Sequence, residues 1–88
     1  MNDIRFRAGY YEWNVFIGEN WIYSFNDVSE DITEDMHIQE LGYLVDDLIN
    51  HMQEELEDEG KEQLEEKYIL ELKRQMIEMW SYHYDIEE

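Results

Sequence analysis

Carboxylates are the reactive groups this chain has in quantity, with twenty-four Asp and Glu against six Lys and Arg and a net charge of −18 on 88 residues. Carboxylates can ligate hard cations, carry protons, attack as nucleophiles or simply project charge, and their spacing decides among these. Asp27, Ser29, Asp31, Thr33 and Asp35 alternate like the first five odd positions of a calcium-binding loop. However, the sixth position, which needs Gly for its sharp turn, is Ile32, and the twelfth, which needs a bidentate Glu, is Ile38. Glu34-x-x-His37 has the i, i+3 spacing of di-metal carboxylate bundles, but that chemistry needs a second such pair, and neither His51 nor His83 follows an acid by three residues. Ser24, Ser29 and Ser81 lie in no nucleophile motif, and the glycines at 9, 18, 42 and 60 are too scattered for a phosphate loop. The absence of cysteine excludes disulfides and thiolate metal sites and fits a reducing compartment. The expectation is a protein that is not an enzyme and holds no cofactor or metal.

What remains is charge as such, and it is unevenly placed. Between Asp27 and Glu66 sixteen acids face one base, Lys61. The segment before it has three acids against two bases, and the segment after it five against three. Self-repulsion of this size costs folding free energy, and far less would keep a domain in solution. The chain is nevertheless not composed like a disordered acidic tail: 43% of residues are hydrophobic, 15% aromatic, and none is Pro. One folded domain, 1–88, is expected. A chain this short can bury only roughly 60–65% of its unfolded surface. No apolar stretch follows the N-terminus and none approaches the ~20 residues of a membrane span, so a cytoplasmic location is expected. Anionic membranes and nucleic acid would both repel the chain, which leaves a basic protein as partner.

The elements that must position these acids read as α+β. Ile4, Phe6 and Ala8 alternate with Arg5 and Arg7; Tyr11, Trp13, Val15 and Ile17 alternate with Glu12, Asn14 and Phe16; Trp21, Tyr23 and Phe25 follow a Gly18-Glu19-Asn20 turn signal. This period of two predicts an antiparallel meander of two or three strands over about 4–25, with Trp13, Trp21, Tyr23 and Phe25 in the core. The period then changes. Leu41, Leu44, Val45, Leu48, Ile49, Met52 and Leu56 mark an amphipathic helix over about 35–58, stopped by Gly60. Leu64, Tyr68, Leu72, Met76, Met79 and Trp80 mark a second over about 61–83, antiparallel to the first. Its apolar face, widened by Ile69, Leu70, Ile77 and Tyr82, exceeds what one partner helix covers, so it must also touch the sheet or a second copy in a homodimer.

The acids run against helix logic. Asp46, Asp47, Glu54, Glu55, Glu57, Asp58 and Glu59 fall on the polar face and last turn of the first helix, and Glu62, Glu65 and Glu66 follow at the hairpin tip. Acids at a helix C-terminus meet the negative end of the macrodipole, at about 0.3–1 kcal/mol each at low salt. Only Lys61 and Lys67 relieve them. Carboxylates three or four residues apart have Cβ atoms about 5–6 Å apart, and a duplex carries one charge per ~1.7 Å of axis over both strands. The two spacings are of the same order. These ten residues are the expected contact set for a basic groove built for nucleic acid.

In size, in the acidic helices between Asp27 and Glu66, and in the acidic aromatic end Trp80-Ser81-Tyr82-His83-Tyr84-Asp85-Ile86-Glu87-Glu88, the chain resembles small DNA-mimic inhibitors of phages and mobile elements, of anti-CRISPR and anti-restriction type. The resemblance implies a non-enzymatic inhibitor that occupies the nucleic-acid-binding site of a CRISPR effector, restriction enzyme or other nuclease, with its acids as contacts and its strands as scaffold. Two other readings use the same residues. One is an immunity protein or antitoxin that neutralises a basic nuclease; the other is an adaptor subunit whose charge serves solubility and whose apolar second helix is the working surface.

Overall fold

A computed structural model describes residues 3–33 and 35–86, so Glu34 of the Glu34–His37 pair and the terminal Glu87 and Glu88 lie outside the described residues. Strands β1 (Ile4–Ala8), β2 (Glu12–Ile17) and β3 (Asn20–Asn26) form an antiparallel meander in that spatial order, followed by helices α1 (Ile38–Asp58) and α2 (Glu66–His83). The fold is α+β, a three-stranded sheet and a helical hairpin. Gly18, at φ 61°, takes the first position of the two-residue β2–β3 loop, where a positive φ lets the loop follow the strand twist.

Both helices start later than the apolar period alone predicts. His37 caps α1, its Nδ1 accepting from the Gln39 N–H at 3.2 Å, so helical geometry begins at Ile38 rather than near 35. At the other end Gly60 (φ 75°) closes a Schellman motif, in which the Lys61 N–H donates to the Leu56 carbonyl at 2.8 Å and the Gly60 N–H to the Glu57 carbonyl at 3.0 Å. Residues 61–65 then form an irregular link instead of opening α2, with Glu65 extended as its N-cap. Gln53 of α1 holds them there: its Oε1 accepts from the Leu64 N–H at 2.8 Å and its Nε2 donates to the Leu64 carbonyl at 3.0 Å. A side chain that satisfies both backbone groups of Leu64 competes directly with helix formation at that residue.

The core lies between one face of the sheet and the helices. Phe6 stacks on Trp13 at 5.4 Å between ring centroids, and Trp80 of α2 meets both edge-on, at 5.3 and 5.6 Å. Ile4, Val15, Phe25 and Val28 from the sheet side, Leu41, Val45, Ile49, Met52 and Leu56 from α1, and Leu72 and Met76 from α2 complete it. Among the described residues no polar or charged side chain is buried. The Trp80 Nε1 is the one buried side-chain polar atom among them without a hydrogen-bond partner. That orphan costs about 1–3 kcal/mol, which complete burial of the large ring offsets.

Trp21 departs from the expected core. A bulge between Val15 and Phe16 pairs Val15 with Tyr23 but Phe16 with Trp21, so the parity of β3 reverses at Ile22. Ile22 packs against the core, whereas Trp21 stays 52% exposed, its indole N–H donating to Ser24 at 2.9 Å. At the C-terminus Tyr84 and Ile86 fold back onto the core and Tyr82 does not. That return uses Asp85 at φ 54° as the left-handed residue of a second Schellman motif, the Ile86 N–H donating to the Ser81 carbonyl at 2.9 Å.

The outer edge of β1 is closed by a side chain rather than a strand. Gln75 of α2 accepts from the Phe6 N–H and donates to the Ile4 carbonyl, both at 2.9 Å. Gln75→Ala would leave both backbone groups unpaired in a half-buried setting, and denaturant unfolding should show a loss of about 1–3 kcal/mol. Asp85→Gly removes a Cβ from a left-handed residue and should instead raise stability, by about 0.5–1 kcal/mol in the same measurement.

Candidate protein-binding surface

α1 carries seven acids, Glu40, Asp46, Asp47, Glu54, Glu55, Glu57 and Asp58, and neither Lys nor Arg. Its buried residues recur at three- and four-residue intervals on one side. Helical geometry therefore sends Glu40, Tyr43, Asp47, Glu54 and Asp58 along the opposite side, and all five are exposed. At 1.5 Å per residue this row is about 27 Å long. The macrodipole is left uncompensated at its far end, since the last turn holds no base.

The ten expected contact residues do not all face the same way. Asp46 turns toward α2, where Lys73 Nζ sits 2.7 Å from its carboxylate. Glu55 is drawn into the fold: it accepts the Tyr23 hydroxyl of β3, and His51 Nε2 lies 2.9 Å from its other oxygen. Glu59 and Glu65 pair with Lys61 and Lys67 at the hairpin tip, at 3.2 and 3.6 Å. Asp47, Glu54, Glu57, Asp58, Glu62 and Glu66 remain exposed without an ion pair among the described residues. Glu40 and Tyr43 extend the row beyond the expected set. Both could have been found in the sequence, because they stand opposite the apolar positions in the same period that marks Asp47 and Glu54.

α2 is electrically different. Its three acids, Glu66, Glu71 and Glu78, are equalled in number by Lys67, Lys73 and Arg74, although Lys67 and Lys73 pair with Glu65 and Asp46 outside the helix. Arg74 binds Glu71 through Nε at 2.8 Å and Glu78 through a terminal nitrogen at 2.6 Å. Those hydrogen bonds, with the positive charge, hold the Glu71 carboxyl below its ordinary pKa. The remaining arginines, Arg5 and Arg7, are exposed on the far face of the sheet without an ion pair among the described residues. Among the described residues, acids without an ion pair therefore line α1 and the tip, and also the connector before α1, where Asp27, Glu30, Asp31 and Asp35 are exposed.

A cleft of about 620 Å³ between β1 and α2 mixes Asp3 and Glu71 with Arg5 and Lys67. Among the described residues no three His, Asp or Glu converge on a point where a metal could sit. Comparison with protein-family models, with curated proteins and with solved structures finds no match.

Tyr23 is the titratable group most altered by the fold. Burial, then its hydrogen bond to Glu55, then the charges of Glu55 and Glu59 push its phenol above the ordinary value. A folded pKa above the unfolded one means that the neutral phenol stabilises the fold. The contribution is complete below the unfolded value of about 10 and is lost as pH rises through the folded value. Melting temperature should therefore fall as pH climbs above about 10, and less steeply in Tyr23→Phe. Equal slopes for the two proteins would contradict this coupling.

Proposed function

We propose that the chain is an inhibitor that binds a basic nucleic-acid-binding protein, presenting the carboxylates of α1 where that protein's groove receives phosphates. The observation that carries this reading is the outward row Glu40–Asp47–Glu54–Asp58 on a helix without Lys or Arg, beside a second helix whose acids and bases are equal in number. A chain needing charge only for solubility has no reason to leave one helix unbalanced and balance its neighbour. The row is held rigidly, because the opposite side of α1 is buried along its whole length. Fixed carboxylates lose little conformational entropy on docking, and the field steers encounter with a positive groove. Tyr43, 70% exposed within the row, supplies the kind of aromatic anchor that holds an interface once charge has guided it. Nucleases, restriction enzymes and CRISPR effectors present the groove this surface fits, and a nuclease toxin would present it equally.

The test is capture of lysate proteins on the immobilised chain, with release by salt and by excess duplex DNA. Nucleic-acid-binding proteins should be retained, then released by both. The triple variant Asp47→Lys, Glu54→Lys, Asp58→Lys should bind the same protein at least about tenfold more weakly. These sites are exposed, and Lys in the last turn suits the dipole, so melting should be unchanged or higher. Retention indifferent to DNA, or a triple variant that binds as the parent does, would refute the reading.

A further inference from the structure

We infer that the outer face of α2 is a self-association surface, on which a second copy of this chain packs its own α2 antiparallel about a twofold axis. Four of the five exposed residues of α2 past its first turn form one row at four-residue intervals, Leu70, Arg74, Glu78 and Tyr82; the fifth, His83, lies against Trp13. Leu70 is 62% exposed and Tyr82 91%, large apolar side chains that the monomer leaves in water. The row is self-complementary. With the axis at the level of Met76, Leu70 of each copy meets Tyr82 of the other, and Arg74 of each meets Glu78 of the other. Within one chain Arg74 already binds Glu78 at 2.6 Å, so the twofold contact joins two such pairs into a four-membered ring of alternating charge. A shallow cleft of about 360 Å³ beside the row, lined by Arg74, Gln75, Glu78, Met79 and Tyr82, gives an incoming side chain somewhere to sit.

Packing geometry agrees. Rows at i±4 are inclined by about 26° to the helix axis, so two copies of the row run parallel to each other when the helices cross at about −50°, the commonest crossing in globular proteins. Electrostatics selects the occupant. A second copy brings a charge of −18, and approach along α1 sets acids against acids. α2, whose three acids are balanced by three bases, is the helix along which two such molecules can touch without that repulsion. The arrangement leaves both α1 rows facing outward, and it stands whether or not α1 binds a basic protein.

Sedimentation equilibrium of the full chain over a concentration series decides it. The parent should move from the 10.9 kDa chain mass toward twice that value as concentration rises. Arg74→Glu sets four carboxylates around the axis and Glu78→Arg sets four guanidinium groups there, so each variant alone should associate at least about tenfold more weakly. Mixed in equal amounts, the two restore opposite charges at every contact and should form a heterodimer. Both sites are exposed, and unchanged circular dichroism would show that the fold is kept. A parent that stays monomeric throughout, a dimer indifferent to both substitutions, or a mixture that does not associate would each overturn the inference.

Discussion

The contact between Trp80 and the Phe6–Trp13 stack is the joint on which the rest of the molecule hangs. The sheet has only three strands and cannot bury its aromatic face alone, while the hairpin carries half of the net charge and needs an apolar surface to hold it in place. Trp80 reaches from the C-terminal half of α2 into that stack, with both ring pairs edge-to-face, the geometry the ring quadrupoles favour. Gln75, five residues earlier on the same helix, fixes the β1 edge. One helix therefore sets both the distance and the register of the sheet against the hairpin, and α1 follows through its packing on α2.

Electrostatics constrains what this joint can support. With twenty-four acids, every carboxylate buried without a partner would cost several kcal/mol, and among the described residues the fold buries none. The acids are instead sorted. Where a carboxylate falls between elements it is given a donor, as Asp46 is by Lys73 and Glu55 by Tyr23 and His51. Where it falls outward on α1 it is left bare. The few bases are spent on α2, on its flanking loop and on the far face of the sheet, so the two helices end up with different work: one presents charge and the other packs.

Much of this was legible in the chain itself. The alternation in residues 4–25 and the three-to-four period after Leu41 gave the meander and the helical hairpin, because one-sided burial imposes those periods on any sequence that folds this way. Gly60 gave the end of α1, since a left-handed residue after the last turn is what glycine accommodates best. Less legible were features that depend on a partner distant in sequence. Trp21 reads as a core residue in its own strand, and only the bulge against Val15 and Phe16 turns it outward. Leu64 reads as part of the first turn of α2, and it is Gln53 of the preceding helix that takes up both its backbone groups instead. Glu55 looks no different from Glu54 until Tyr23, thirty-two residues earlier, arrives beside it.

The sequence by itself determined the elements, their order, the apolar side of each and the excess of acid between Asp27 and Glu66, because these follow from local periodicity and from charge, which is additive along a chain. The tertiary structure decided which acids are free to act. Periodicity separates a buried side from an exposed one, but it does not say which exposed residues border a neighbouring element. Asp46 and Glu55 are lost to the fold and Glu40 and Tyr43 gained for the surface because hydrogen bonds and ion pairs form only when atoms remote in sequence come within about 3 Å, and that proximity is a property of the packed molecule alone.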